Sequence, residues 1–155
     1  MAQFRVAVVA VLTLLTPAAR QHEPEPAAHP VALMETGEFM ELVMKPSYAE
    51  LQHAIGMPAA DRRSWAAMYQ AAIRLAETEN LLFFRDRPDV KDPRWAALAA
   101  AARQASADVA RSAEVSLRNL DTADYGAIRR RYEAVSSACN ACHRTFAREA
   151  PTIRP

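Results

Sequence analysis

Tyr125, Ile128, Tyr132, Val135, Cys139, Cys142 and Phe146 follow one another at steps of three and four without a break. That spacing lays a single apolar stripe down one side of a helix, whereas a strand would scatter the same residues over both faces. A helix with one apolar side must bury it against further helices or a sheet. No other part of the chain alternates with period two, so no sheet is expected. Only 3 glycines among 155 residues argue in the same direction, against a turn-rich sandwich or barrel.

Three more helical segments precede this one. The first, from about Val31 to Ile55, carries Leu33, Gly37, Met40, Met44, Tyr48, Leu51 and Ile55 on one stripe. Pro46 lacks a backbone donor and is expected to kink or restart that helix, and Gly56-Met57-Pro58 ends it. The second, from about Pro58 to Phe84, gathers Trp65, Met68, Ala72, Leu75, Glu79 and Leu82 on one face. A polar loop from Arg85 to Lys91 leads to Asp92-Pro93, an N-cap followed by proline at the first helical position. In the third segment Trp95, Leu98, Ala102, Ala105, Val109 and Leu120 are expected to face inward, and Asp121 or Thr122 to cap the fourth. The fold predicted is all-α: an antiparallel four-helix bundle over residues 31–150, with short connections.

The N-terminus has a different character. Met1 to Arg5 is short with one positive charge, Val6 to Leu15 forms an apolar core of ten, and Thr16-Pro17-Ala18-Ala19 supplies small residues suited to cleavage. This is the three-part pattern of a secretory signal peptide, placed at residues 1–18 and too short for a permanent span of about 20 residues. No later segment is apolar enough to cross a membrane. The mature protein is expected to be exported, which in a bacterium means the periplasm. Residues 19–30 hold three prolines without periodicity and read as an extended tail. His22 and His29 in it could bind a metal, but they are expected to be solvated tail residues, since two ligands on a loose segment hold a metal poorly.

Charge removes one class of function. Without residues 1–18 the chain carries 18 basic and 18 acidic residues, so a strongly basic nucleic-acid binder is excluded. The 17 arginines are scattered among carboxylates and read as a solvated face. Glycine is too sparse for a phosphate loop, and no catalytic triad or pair of acid/base carboxylates stands out.

The chemistry sits in the last helix, at Cys139-Asn140-Ala141-Cys142-His143. CxxCH is the attachment site of c-type haem. At 100° per residue the three functional side chains span an arc of only about 100°. Two thiols on that arc can add to the vinyl groups at one edge of a porphyrin, while His143 takes the iron from the proximal side. A thioredoxin-like CxxC would need a βαβ setting with a cysteine at a helix N-terminus. A structural zinc site would need a fourth ligand, for which only His53 on another helix is available. Export agrees with haem, which is attached outside the cytoplasm in c-type proteins.

A four-helix bundle with CxxCH near its C-terminus, followed three residues later by the aromatic Phe146, resembles the class II cytochromes c, the cytochrome c prime family. The resemblance covers the mature domain in architecture, while only Cys139 to Phe146 matches at motif level. It implies one covalent haem c packed inside the bundle, held by Cys139 and Cys142, with His143 as fifth iron ligand and a sixth position facing the first helix. In low-spin members a methionine fills that position and the protein transfers electrons. In high-spin members an apolar side chain leaves the iron open to nitric oxide or carbon monoxide. The family places the facing residue about four and a half turns before the loop that ends the first helix. Met40 lies 16 residues before Gly56, about 4.4 turns, against 12 for Met44 and 22 for Met34. Met40 is therefore the expected sixth ligand, and Gly37, one turn earlier, would leave room for a haem edge. The alternative role of Met40 is plain core packing. The family's basic residue four positions after the histidine is absent, since Ala147 stands there between Arg144 and Arg148. Tyr48, Tyr69, Trp65 and Phe146 are candidates to line the haem pocket, each with ordinary packing as its alternative.

The resulting expectation is a periplasmic mono-haem electron carrier, not an enzyme, with an unidentified periplasmic redox partner. A five-coordinate gas-binding haem protein is the alternative, and a thiol redox enzyme the third. Members of the family often dimerise through their first two helices, so the resemblance allows a homodimer here, although no uninterrupted exposed apolar stripe demands it.

Overall fold

A computed structural model describes residues 31–85 and 92–155, so the expected signal segment 1–18, the tail 19–30 and residues 86–91 of the polar loop lie outside the described residues. The described residues are helical, with no strand among them, and four helical rods pack together. The first rod is one continuous helix in three runs: α1 (Thr36–Phe39), a π-helical turn (Met40–Met44) and α2 (Lys45–Gly56). The others are α3 (Arg62–Asn80), extended by a 3-10 turn at Leu81–Phe84, α4 (Pro93–Arg118) and α5 (Tyr125–Phe146). No helix of the described residues is long and apolar enough to cross a membrane.

Three aspartates start three of the rods by accepting from orphan backbone donors of the first turn. Asp61 accepts from the Ser64 N–H at 2.8 Å, Asp92 from Arg94 at 2.9 Å, and Asp124 from Ala127 at 2.8 Å. Asp92-Pro93 is thus the cap and first-turn proline expected. Asp124 corrects the expected cap at Asp121 or Thr122. Those residues form a separate 3-10 turn, Leu120–Thr122, with Asn119 Oδ1 accepting from the Asp121 N–H. Leu120, expected to face inward, belongs to that turn and is exposed.

Pro46 neither breaks the first rod nor restarts it. The π turn ends just before it, with the Lys45 N–H donating to Met40 five residues back. Widening the helix there gives the proline ring room and absorbs the missing donor. The turn also adds a residue to the helical count. Phe39, off the regular stripe, consequently turns inward and is buried, as is Met44 one turn further on. The rod starts at Thr36, and Leu33, expected on its stripe, is 94% exposed.

Polar contacts between rods establish their directions. Tyr125 Oη donates to the Ile55 carbonyl, joining the start of α5 to the end of α2. Arg62 Nη1 donates to the Leu117 carbonyl, joining the start of α3 to the end of α4. Trp95 at the start of α4 meets Phe146 at the end of α5 edge to face, ring centroids 5.2 Å apart. Neighbouring rods are therefore antiparallel. The core between them includes Leu51, Met68, Leu75, Val109, Ile128 and Val135, all fully buried.

The chain does not stop at the end of α5. Residues 147–155 turn back as a strap over the bundle. Asn140 grips it with two hydrogen bonds of 2.8 Å, Nδ2 donating to the Ile153 carbonyl and Oδ1 accepting from the Ile153 N–H. Tyr48 Oη, on the first rod, donates to the Arg154 carbonyl at 2.9 Å. The strap thus bridges α2 and α5, and the folded unit runs past the expected boundary at residue 150.

Candidate functional site

An apolar cavity of about 570 Å³ opens between the rods, within the range of small-molecule and cofactor sites. The first rod contributes Gly37, Met40, Met44 and Tyr48 to its wall, and α3 contributes Leu75, Glu79 and Leu82. From α4 come Trp95, Leu98, Ala99 and Ala102; from α5, Cys139, Cys142, His143 and Phe146; from the strap, Pro151, Thr152 and Ile153. The antiparallel register set by Trp95 and Phe146 brings Ala99 and Ala102 level with Cys142 and Cys139. Small residues on two facing helices leave the space.

All four residues singled out from the sequence, Cys139, Cys142, His143 and Met40, line this one cavity. The cysteines are not bonded to each other. Burial pushes the Cys139 thiol up to about 12, with Glu79 and Cys142 adding to the shift, and burial raises Cys142 as well. Both are neutral thiols at pH 7, poor as the thiolate nucleophiles of a disulfide oxidoreductase. Burial lowers the His143 pKa, partly countered by the Pro151 backbone, so the imidazole is neutral and free to ligate. Its Nδ1 is buried without a hydrogen bond of acceptable geometry.

The remaining candidates divide. Tyr48 and Phe146 line the cavity, but Trp65 and Tyr69 do not. Trp65 is core and Tyr69 packs partly buried against it. Met44 lines the cavity beside Met40, whereas Met34 lies off the wall and its carbonyl accepts from Arg85 Nη1 at 2.8 Å. His53 is exposed on α2 and absent from the wall, and no three of His, Cys, Asp and Glu form a metal-binding cluster among the described residues. A Cβ on Gly37 would meet nothing within 4 Å, so the space beside it is open.

Sequence reading did not single out two parts of the site. The strap carries no periodicity and only its contacts reveal it. Glu79 sits on the apolar face of its helix, and that misplacement is itself the signal. It is fully buried on the cavity wall, and neither carboxylate oxygen has a hydrogen-bond partner of acceptable geometry. Burial pushes its pKa up to about 7, against the opposing pull of the nearby Ser106 hydroxyl and Arg103.

The donor set suits a covalent haem. Two thiols and a neutral imidazole share one wall of an apolar cavity, thioethers face them from the first rod, and an aromatic pair closes one edge. Comparison with known protein families, with curated proteins and with solved structures finds no match for this chain.

Proposed function

We propose that this chain is a mono-haem c-type cytochrome of the class II kind, exported to the periplasm, that carries single electrons between protein partners and is not itself an enzyme. The observation that carries the reading is that Cys139, Cys142 and His143, one turn of α5, share the wall of an apolar cavity with Met40. Bound there, the haem would supply reversible one-electron chemistry at its iron.

The chain's own groups have defined parts. Cys139 and Cys142 would hold the group through two thioethers, each thiol adding its S–H across a vinyl group with no change in oxidation state. His143 in its neutral form offers one ring nitrogen to the iron. Met40 offers its thioether from the first rod; such a ligand favours the reduced iron and raises the potential. Leu75, Leu82, Leu98 and Phe146 exclude water. The neutral state of both thiols, Cys139 buried and Cys142 half-buried, speaks against the thiol redox enzyme.

Pyridine haemochrome analysis after acid-acetone extraction tests the attachment. The haem is expected to stay on the protein, and Cys139→Ser and Cys142→Ser each to remove one thioether and lower the holoprotein yield. A haem that extracts, or a colourless protein from a c-type maturation host, overturns the reading. The sixth ligand has its own test. Met40→Leu nearly conserves volume and is expected to fold, lose the near-infrared sulfur-to-iron band and bind carbon monoxide readily, while Met44→Leu changes none of these. Loss of the band in Met44→Leu alone moves the ligand one turn along the rod. A wild type already high-spin and unaffected by either substitution replaces electron transfer with gas binding.

A further inference from the structure

We propose that Glu79 is a proton site coupled to the electron: it takes one proton from solvent when an electron arrives in the cavity and releases it when the electron leaves. The inference rests on the haem reading and deepens it, because it makes the chain a carrier of an electron and a proton together.

The geometry is what demands a role. Glu79 is 0% exposed, it lines a cavity whose surroundings are mostly aliphatic, aromatic or sulfur-bearing, and both its oxygens lack a hydrogen bond of acceptable geometry. An unpaired buried carboxylate is costly, and a carboxyl in such a place resolves the cost by keeping its proton. Its pKa, pushed up to about 7 by burial, leaves the two protonation states evenly balanced near neutrality. A small change of charge nearby then decides between them.

The charged and titratable groups around it are few. From α4, Arg103 is a permanent cation already engaged, Nη1 donating to Asn80 Oδ1 at 3.0 Å, and Ser106 carries a neutral hydroxyl. From α5, Cys139 and Cys142 cease to titrate once their sulfurs are thioethers, and His143 is committed to the iron. The first rod presents Tyr48, whose pKa burial raises, and the exposed Glu41–Lys45 ion pair at 2.8 Å. The strap lines the cavity with Ala150, Pro151, Thr152 and Ile153, none of which titrates.

The step balances. A one-electron donor protein supplies the electron, the iron is reduced by one charge, and a solvent proton forms one O–H bond on Glu79. No other bond is made or broken, and oxidation reverses each part. The oxidised centre holds one more positive charge and favours the carboxylate; reduction removes that charge and lets the proton bind.

The test is the midpoint potential of the holoprotein, followed by spectroelectrochemistry from pH 5 to 9. Wild type is expected to fall with pH around neutrality by up to 59 mV for each tenfold drop in proton activity, the one-electron, one-proton conversion. Glu79→Gln keeps the shape without the proton and is expected to lose that slope, while Glu41→Gln keeps it. Reduction-minus-oxidation infrared spectra of the wild type should also gain the carbonyl band of a protonated carboxyl, which answers the question if Glu79→Gln fails to fold. A covalently haem-loaded wild type with a flat potential and no carboxyl band overturns this proposal alone, as does a slope unchanged in Glu79→Gln. A chain that takes up no covalent haem overturns both this proposal and the reading beneath it.

Discussion

The two ends of the bundle use the same four rods and the same helical period, yet one is filled and the other hollow. At the filled end, the register of α4 against α5 sets Val109 level with Tyr132 and Ala113 level with Ile128, so large residues oppose small ones. Leu51, Ile55, Trp65 and Met68 complete that end, and Tyr125 ties it shut through the Ile55 carbonyl. At the hollow end Ala99 and Ala102 lie level with Cys142 and Cys139, small against small, with Met40 across the gap. Interiors reach close packing only where volumes complement one another. A helix face can therefore be continuously apolar and still enclose a void, and side-chain size along the stripe decides which half becomes a site.

The largest effect that would break this contrast is a cavity cut at the filled end. Ile128 is 0% exposed, and Ile128→Ala is expected to cost about 2–5 kcal/mol in urea unfolding. Cys142→Ala at the hollow end, measured without haem, should cost far less, since the space beside it is already empty. Equal losses at the two sites would mean that the hollow is closed in solution.

Next in size is the pH dependence of stability. Glu79 has a folded pKa of about 7, above its ordinary value of 4.5. A group raised on folding contributes stability that is complete below the unfolded pKa and is lost as pH climbs through the folded one. Between about pH 4.5 and 7 that loss should approach about 3 kcal/mol. Thermal unfolding across this window is expected to show the slope in wild type and a much flatter profile in Glu79→Gln. Identical profiles would show that the carboxyl is not buried as described.

The smallest effect concerns the strap. Asn140→Ala removes the two 2.8 Å bonds to Ile153, each worth about 0.5–1.5 kcal/mol net. Hydrogen exchange at the Ile153 amide should quicken by about tenfold, while global stability changes little. Exchange unchanged from wild type would mean that the Tyr48 and Gln52 contacts to the Arg154 carbonyl suffice to hold the strap down.

Much of the architecture was readable in advance because periodicity reports burial directly. Trp65, Met68, Ala72, Leu75, Glu79 and Leu82 were placed on one face, and all six are buried. Asp92-Pro93 marked its helix start for a local reason, cap chemistry within two residues of the chain. Misplacements occurred where a local rule had two solutions. Pro46 demands an accommodation but does not say whether it is a kink or a π turn, and the π turn moved Phe39 inward. Leu120 matched the inward spacing, but a 3-10 turn between α4 and α5 carried it to the surface.

The site divides in the same way. Cys139, Cys142 and His143 are neighbours on one helical turn, so covalent spacing alone determined that they share a wall. The sequence by itself therefore determined the rods, the Asp92 cap and one face of the cavity, because each depends on residues within a turn or two of each other. That Met40 and Met44 stand across from that face, that Glu79 is sealed unpaired in the wall and that residues 147–155 close over it were decided by tertiary structure alone. Each depends on the register of separate helices. That register is set by how large and small side chains interlock across the bundle, over distances along the chain that no local pattern spans.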